Sequence, residues 1–238
     1  MKASHSYTLI IGAGQGLGRS LALKFAQEGH NIALMARKTQ TIENIASDVM
    51  ALNQKALCIA ADVTDIGSIT KSIQQTQSEW GTPDAVIYNA GALQPGTVIE
   101  LTPEQFESLW KVNCMGAFLV ANTILPAMIA RGSGSFLLTG ATASIRASAK
   151  VPGFAVGKFG LRALAQSMAR EYGPQGIHVA HVLLDGMIGN AAPLIQSTKQ
   201  NLRHMNPNAI AAEYWKLHQQ HPTTWTSELD LRTAIEHF

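Results

Sequence analysis

Charge is scarce in this chain. Asp, Glu, Lys and Arg make up only 14% of its 238 residues, and 18 basic against 16 acidic side chains leave a net charge of +2. No basic block stands out, so nothing marks a surface for nucleic acid. Cysteine is scarcer still. Cys58 and Cys114 stand far apart, which excludes a disulfide framework and paired-cysteine metal spacing and fits a reducing compartment. A long apolar run near the start is also missing. Leu9-Ile10-Ile11 ends at once in Gly12, too short for a signal-peptide core or a membrane span, so a cytoplasmic protein is expected. Finally, no tyrosine lies between Tyr88 and Tyr172, a stretch in which aromatic acids are therefore unavailable for chemistry.

What is present is alternation. Short β-rich runs (Thr8–Ile11, Asn31–Ala36, Ala56–Ala60, Ala85–Asn89, Ser135–Thr139, His178–Leu184 and a last candidate at Trp225–Leu231) are separated by longer helical patterns at Gly16–Glu28, Thr39–Leu52, Ile66–Glu79, Pro103–Ala130 and Pro152–Glu171. That order predicts βαβ units and a parallel sheet of about seven strands, with helices on both faces: an α/β, Rossmann-type, doubly wound fold. The span 1–238 shows no repeat and no linker and is expected to form a single dinucleotide-binding domain. The stretch Asn190–Pro222 is the least regular and is expected to carry one or two helices.

The first strand runs directly into Gly12-Ala13-Gly14-Gln15-Gly16-Leu17-Gly18, and a helix comes next. Glycines let a backbone turn tightly and approach a pyrophosphate, while the helix N-terminus offers free N–H groups and partial positive charge. The spacing fits G-x-x-x-G-x-G at Gly12, Gly16 and Gly18, not G-x-G-x-x-G. A glycine-rich turn without a ligand is the bland alternative. The end of the second strand reports on the cofactor. NAD enzymes place Asp or Glu there for the ribose 2′-hydroxyl. Here Ala36 is neutral and is succeeded by Arg37 and Lys38, so NADP is expected over NAD, although Gln15 is uncharged.

The segment Phe154-Ala155-Val156-Gly157-Lys158 has the spacing of an aromatic acid with an activating lysine one helical turn away. A lysine so placed lowers a phenol's pKa and readies it as a proton donor. Phe154 has no hydroxyl, so the lysine stands without the acid.

Together these features resemble the short-chain dehydrogenase/reductase family over nearly the whole chain. Tyr88-Asn89-Ala90-Gly91 is similar to the family's Asn-Asn-Ala-Gly segment after the fourth strand, and Asp62-Val63 to its adenine-contacting pair after the third. Asn113 matches the helix asparagine that supports the active-site lysine through water, and Lys158 matches that lysine. The resemblance implies strand order 3-2-1-4-5-6-7 and a homodimer or homotetramer. It implies cofactor contacts from Gly12, Gly14, Gln15, Gly16, Leu17, Gly18, Arg37, Lys38, Asp62, Val63, Asn89, Ala90, Gly91, Lys158, Gly186, Met187 and Ile188.

Two departures accompany the resemblance. The family's serine, thirteen residues before its tyrosine, falls here on Ala141; Thr142 and Ser144 are nearby hydroxyls that could replace it. Where the family has Pro-Gly after the sixth strand, this chain has Asp185-Gly186-Met187-Ile188. Asp185 reads either as a substitute acid or, preferentially, as a loop carboxylate capping the next segment. The functional expectation is an NADP(H)-dependent oxidoreductase with an altered proton-donor site acting on a small molecule. The alternative is an inactive NADP(H)-binding sensor or scaffold. No metal site is expected: His178 and His181 sit three apart on a strand and face opposite ways, while His218 and His221, which could share a helical face, lack a neighbouring third ligand.

Overall fold

The computed structural model describes residues 6–189 and 204–235. Seven parallel strands form one sheet in the order β3-β2-β1-β4-β5-β6-β7. They are β1 (Tyr7–Ile11), β2 (Asn31–Ala36), β3 (Ala56–Ala60), β4 (Ala85–Tyr88), β5 (Gly134–Thr139), β6 (Ile177–Asp185) and β7 (Glu228–Arg232). Helices α1 (Leu17–Gln27), α2 (Glu43–Met50) and α7 (Pro207–His218) cover one face; α3 (Ile66–Trp80), α5 (Gly116–Arg131) and α6 (Pro152–Tyr172) cover the other, with α4 (Pro103–Trp110) against α6.

The central strands are apolar on both sides because both sides are covered. In β1, Leu9 and Ile11 join the cluster beneath α3, α5 and α6, while Ile10 joins the one beneath α1 and α7. Ala33 and Met35 against Ile32 and Leu34 repeat this in β2, as do Val86 and Tyr88 against Ala85 and Ile87 in β4. The strand order reverses direction between β1 and β4. Ile11 pairs with Met35 on one side and Tyr88 on the other. The loops leaving β1 and β4 therefore diverge around a crevice at the carboxyl edge of the sheet, the place where this architecture binds ligands.

Several boundaries differ from those expected. The stretch Pro103–Ala130 is not one α-helix. It begins with a Thr102–Gln105 capping box and Pro103 in the first turn, then passes through a π turn at Lys111–Met115 before α5. The 29 residues Pro103–Arg131 are apolar and long enough to cross a bilayer. In the fold, however, Ala117, Val120, Ala121, Ile124 and Leu125 are buried against the sheet, which makes α5 a core helix. Thr39–Leu52 divides into a 3₁₀ turn (Thr39–Thr41) and α2. The seventh strand starts at Glu228 rather than Trp225, and β6 runs one residue further, to Asp185. Of Asn190–Pro222, α7 is observed, and residues 190–203 lie outside the described part.

Candidate active site

The glycine loop and the segment after β4 form one wall of the crevice. Gly12 has φ +80, and a Cβ there would lie 2.4 Å from the Ala90 backbone. Only glycine allows both the turn and this contact. Gly12 and Ala13 N–H groups donate to the Met35 carbonyl, and the Asn89 Nδ2 donates to the Gly12 carbonyl at 3.0 Å. By contrast, Cβ atoms at Gly14 or Gly16 would meet nothing within 4 Å. No side chain caps the N-terminus of α1, where Leu17 and Gly18 form the first turn. The loop thus presents an open backbone cradle beneath an uncapped helix, the arrangement that receives phosphate. Gln15 turns sideways, its Nε2 3.4 Å from the Thr41 carbonyl.

Arg37 and Lys38 are exposed just past β2, and neither makes an ion pair among the described residues. Asp62 is exposed after β3, folded back to accept the N–H and hydroxyl of Thr64 at 2.9 and 2.7 Å. Those bonds, with the Arg37 charge as a lesser influence, hold its carboxyl below the usual range. Val63 is buried next to it. Gly186, Met187 and Ile188 come after β6; Met187 and Ile188 are exposed, and the segment is strapped to Met205 through the Met187 carbonyl and the Gly189 N–H.

At the centre lies Lys158. Its ammonium is buried, donates to the Thr139 carbonyl at 2.8 Å, and stands 5.8 Å from the Phe154 ring centroid. Burial alone pushes its pKa down from 10.5 to about 8. Helix α6 reaches this depth because Gly157 faces the π turn; a Cβ there would fall 2.5 Å from the Asn113 Cβ. Asn113, fully buried, clamps the loop after β4. Its Nδ2 donates to the Ala92 carbonyl at 2.7 Å and its Oδ1 accepts the Ala92 N–H at 3.2 Å. A π turn is a frequent device for re-aiming a side chain at a functional site. A Cβ at Gly91 would be 3.4 Å from Asn113 Oδ1 and 3.7 Å from Lys158 Nζ, so the two polar groups flank the same backbone.

The other expected groups are engaged elsewhere. Ala141 contributes no hydroxyl, and its N–H donates to Ser144 Oγ at 3.1 Å. Ser144 is fully buried, and its Oγ lies 3.2 Å from His181 Nε2, so it faces the protein interior rather than the crevice. Thr142 donates to Asp185 Oδ1 at 2.5 Å, and Arg232 sits 3.0 Å from Asp185 Oδ2. Asp185 is therefore not a loop carboxylate capping the next segment. It is the buried last residue of β6, its two oxygens tied to two different elements.

Sequence spacing marks His181 only as a strand residue. In the fold it holds Ser144, and burial drives its pKa down to about 4, leaving it neutral. Spacing gives no hint of that contact, which depends on β5 and β6 lying side by side. His218 and His221 do not share a helical face: the first ends α7 beside Ser135, and the second precedes a 3₁₀ turn. Tyr214, on α7, is buried with its hydroxyl 2.8 Å from Thr139 Oγ1, which in turn donates to Asn89 Oδ1 at 3.2 Å. Among the described residues, no group of three His, Cys, Asp or Glu side chains is placed to hold a metal ion.

This architecture is shared with known proteins. A short-chain dehydrogenase/reductase of Armillaria gallica is 31% identical over 175 residues, covering 72% of this chain and 67% of its own length. A crystal structure of a short-chain dehydrogenase from Rhodopseudomonas palustris matches with a TM-score of 0.84 at 31% identity, covering 95% of this chain and 98% of that one. An alcohol dehydrogenase from the archaeon Thermococcus sibiricus, complexed with 5-hydroxy-NADP, has the same fold (TM-score 0.86, 23% identity, 98% of each chain). The short chain dehydrogenase family model matches residues 6–202, and with that span this chain belongs to the short-chain dehydrogenase family.

Proposed function

We propose that this chain is an NADP(H)-dependent oxidoreductase that transfers hydride to or from a small carbonyl or alcohol without a tyrosine donor. The observation that carries the reading is the open backbone cradle at Gly14 and Gly16 beneath an uncapped α1, with two exposed cations just past β2 that make no ion pair among the described residues. The cradle fits a pyrophosphate. Arg37 and Lys38 fit a 2′-phosphate, with no carboxylate at Ala36 to oppose it. Asp62 and Val63 would border the adenine, Asn89, Ala90 and Gly91 the middle of the dinucleotide, and Lys158 with Gly186, Met187 and Ile188 its reactive end. The dinucleotide supplies hydride; the chain orients it and excludes water. Of the family's proton-handling groups this chain keeps Lys158 and Asn113, while Phe154 and Ala141 replace the tyrosine and the serine.

The reading treats residues 1–238 as one dinucleotide-binding domain of a cytoplasmic enzyme that works as a homodimer or homotetramer. The oligomer is supported by exposed Phe118 on α5 and exposed Val156 and Phe159 on α6, apolar side chains on two helices that pack together. Fluorescence titration with NADPH and NADH tests the cofactor. NADPH should bind more tightly, and Arg37→Ala should cost NADPH about 1–3 kcal/mol while changing NADH little. Equal affinities in the parent would refute a 2′-phosphate site.

A second reading, a cofactor-binding sensor without turnover, is favoured by one feature: the Phe154 ring lies over the lysine where a phenol would be useful. NADPH binding without reduction of any carbonyl in a broad panel would select it.

A further inference from the structure

A carbonyl reduction needs a proton as well as a hydride, and the groups at the ends of β4, β5 and β6 leave few sources for it. Thr142 spends its hydroxyl hydrogen on Asp185. Asp185 divides its oxygens between Thr142 and Arg232. Ser144 faces His181 inside the protein. The Asn113 amide is held by the Ala92 and Leu109 carbonyls. The Tyr88 hydroxyl donates to the Val112 carbonyl, and Tyr214 pairs with Thr139. Lys158 differs from all of these. An ammonium carries three N–H bonds, and the Thr139 carbonyl takes one.

We propose that Lys158 is itself the proton donor of this site, passing a proton from Nζ to the oxygen of the substrate carbonyl, so that it replaces a phenol instead of assisting one. The proposal rests on the oxidoreductase reading above. In the reduction, the carbonyl carbon takes hydride from the reduced nicotinamide dinucleotide and forms a C–H bond. The carbonyl π pair moves to oxygen, an Nζ–H bond breaks, and an O–H bond forms. The carbonyl becomes an alcohol and the dinucleotide is oxidised. Lys158, left as a neutral amine, regains its proton from water.

Two features of the surroundings suit this role. Phe154, one helical turn earlier, covers Nζ with a ring that neither donates nor accepts a proton, so it cannot intercept one. On another side Gly91 packs against Nζ. It is exposed, and its missing side chain would have pointed at Nζ from 3.7 Å. A general acid works best when its pKa lies near the working pH, and burial brings Lys158 to about 8.

Among the described residues, no carboxylate pairs with Nζ. From β6, His181 is neutral and Asp185 is paired with Arg232. From β7, Glu228 is paired with Arg162 of α6. From the π turn, burial pushes the Cys114 thiol up, and Lys111 pairs with Glu107 of α4. From β4, burial keeps the Tyr88 phenol neutral.

The test is Lys158→Arg, which keeps the positive charge but cannot release a proton near neutrality. NADPH affinity is read by fluorescence, turnover with 9,10-phenanthrenequinone and diacetyl, and Lys158 protonation in the parent by titrating [13Cε]-lysine NMR signals, with the variant assigning the resonance. The expected result is turnover at saturating NADPH down by about 10²–10⁴-fold, and a parent turnover that falls as pH rises through the same midpoint as the Lys158 resonance. Turnover that survives in Lys158→Arg with its pH break intact overturns the donor role and leaves the oxidoreductase reading standing. A Lys158 resonance that titrates far from the break overturns the donor role whatever the turnover of the variant. A parent that binds NADPH yet reduces neither carbonyl overturns the donor role and counts for the sensor reading.

Discussion

Replacing Asp185 by asparagine keeps the shape of the end of β6 and removes its charge. The carboxylate is almost fully buried, its side chain 4% exposed, and the Arg232 guanidinium opposite is only 18% exposed. Removing one member of a buried pair typically costs about 3–5 kcal/mol, because the partner is left uncompensated. Arg232 also pairs with Asp230, which is half-exposed, so its charge is not wholly orphaned. The expected loss therefore falls at or just below that range, about 2–3 kcal/mol. Urea unfolding monitored by circular dichroism should show it as a midpoint lowered by roughly 1 M, given slopes of about 1–3 kcal/mol/M. Asp185→Asn combined with Arg232→Met should recover most of the loss, since both charges are then gone. A single variant that unfolds within about 0.5 kcal/mol of the parent would refute a stabilising role for the pair. The same variant bears on chemistry. Were Asp185 the proton source, turnover would vanish from protein that is still folded; as a structural ion pair, turnover per folded molecule should persist.

Phe154→Tyr with Ala141→Ser should install a phenol one turn from Lys158 and a hydroxyl in the facing loop, raising reduction of activated ketones by NADPH by about 10²-fold or more. A slower double variant would mean that Phe154 is a specialisation. Lys158 should also link stability to pH. Its pKa is lowered on folding, so below about 8 both states carry the charge and the folded one bears the full burial cost. Between about 8 and 10.5 the unfolded chain holds the extra proton, and stability should climb with pH by about 3 kcal/mol in all, a slope that Lys158→Met should abolish in urea titrations at several pH values. In sedimentation at micromolar concentration the chain should run as a dimer or tetramer, and a charge at Phe159 should dissociate it; a monomeric parent would refute the interface on α5 and α6.

Much of the fold was legible because both of its periodicities are strong. The strands are short apolar runs with glycine or proline near their ends, and the glycine loop sits between strand and helix. The departures share a cause: contacts that sequence spacing does not encode. Nothing at Lys111–Met115 announces a π turn, because the extra residue is accommodated by Asn113 reaching Ala92 rather than by any local propensity. Asp185 reads as a turn residue, yet Arg232 waits in the neighbouring strand and lets β6 continue through it. Ser144 reads as an available hydroxyl until β6 brings His181 beneath it. The segments proposed to hold the cofactor were legible because most of them follow a strand end. The contacts of Thr142, Ser144 and Asp185 were not, since they depend on which way side chains near the ends of β5 and β6 turn.

Thr139 occupies a position with two obligations. Its side chain reaches Asn89, which holds the Gly12 carbonyl, while its own carbonyl holds Lys158. The glycine loop and the lysine are thus fastened to a single residue at the end of β5 and cannot drift apart independently. The segments 93–101 and 145–151 hang outside that frame, joined to each other by the Gly96 N–H on the Lys150 carbonyl. A lineage built this way could rewrite those outer segments without loosening the joint between the glycine loop and the lysine.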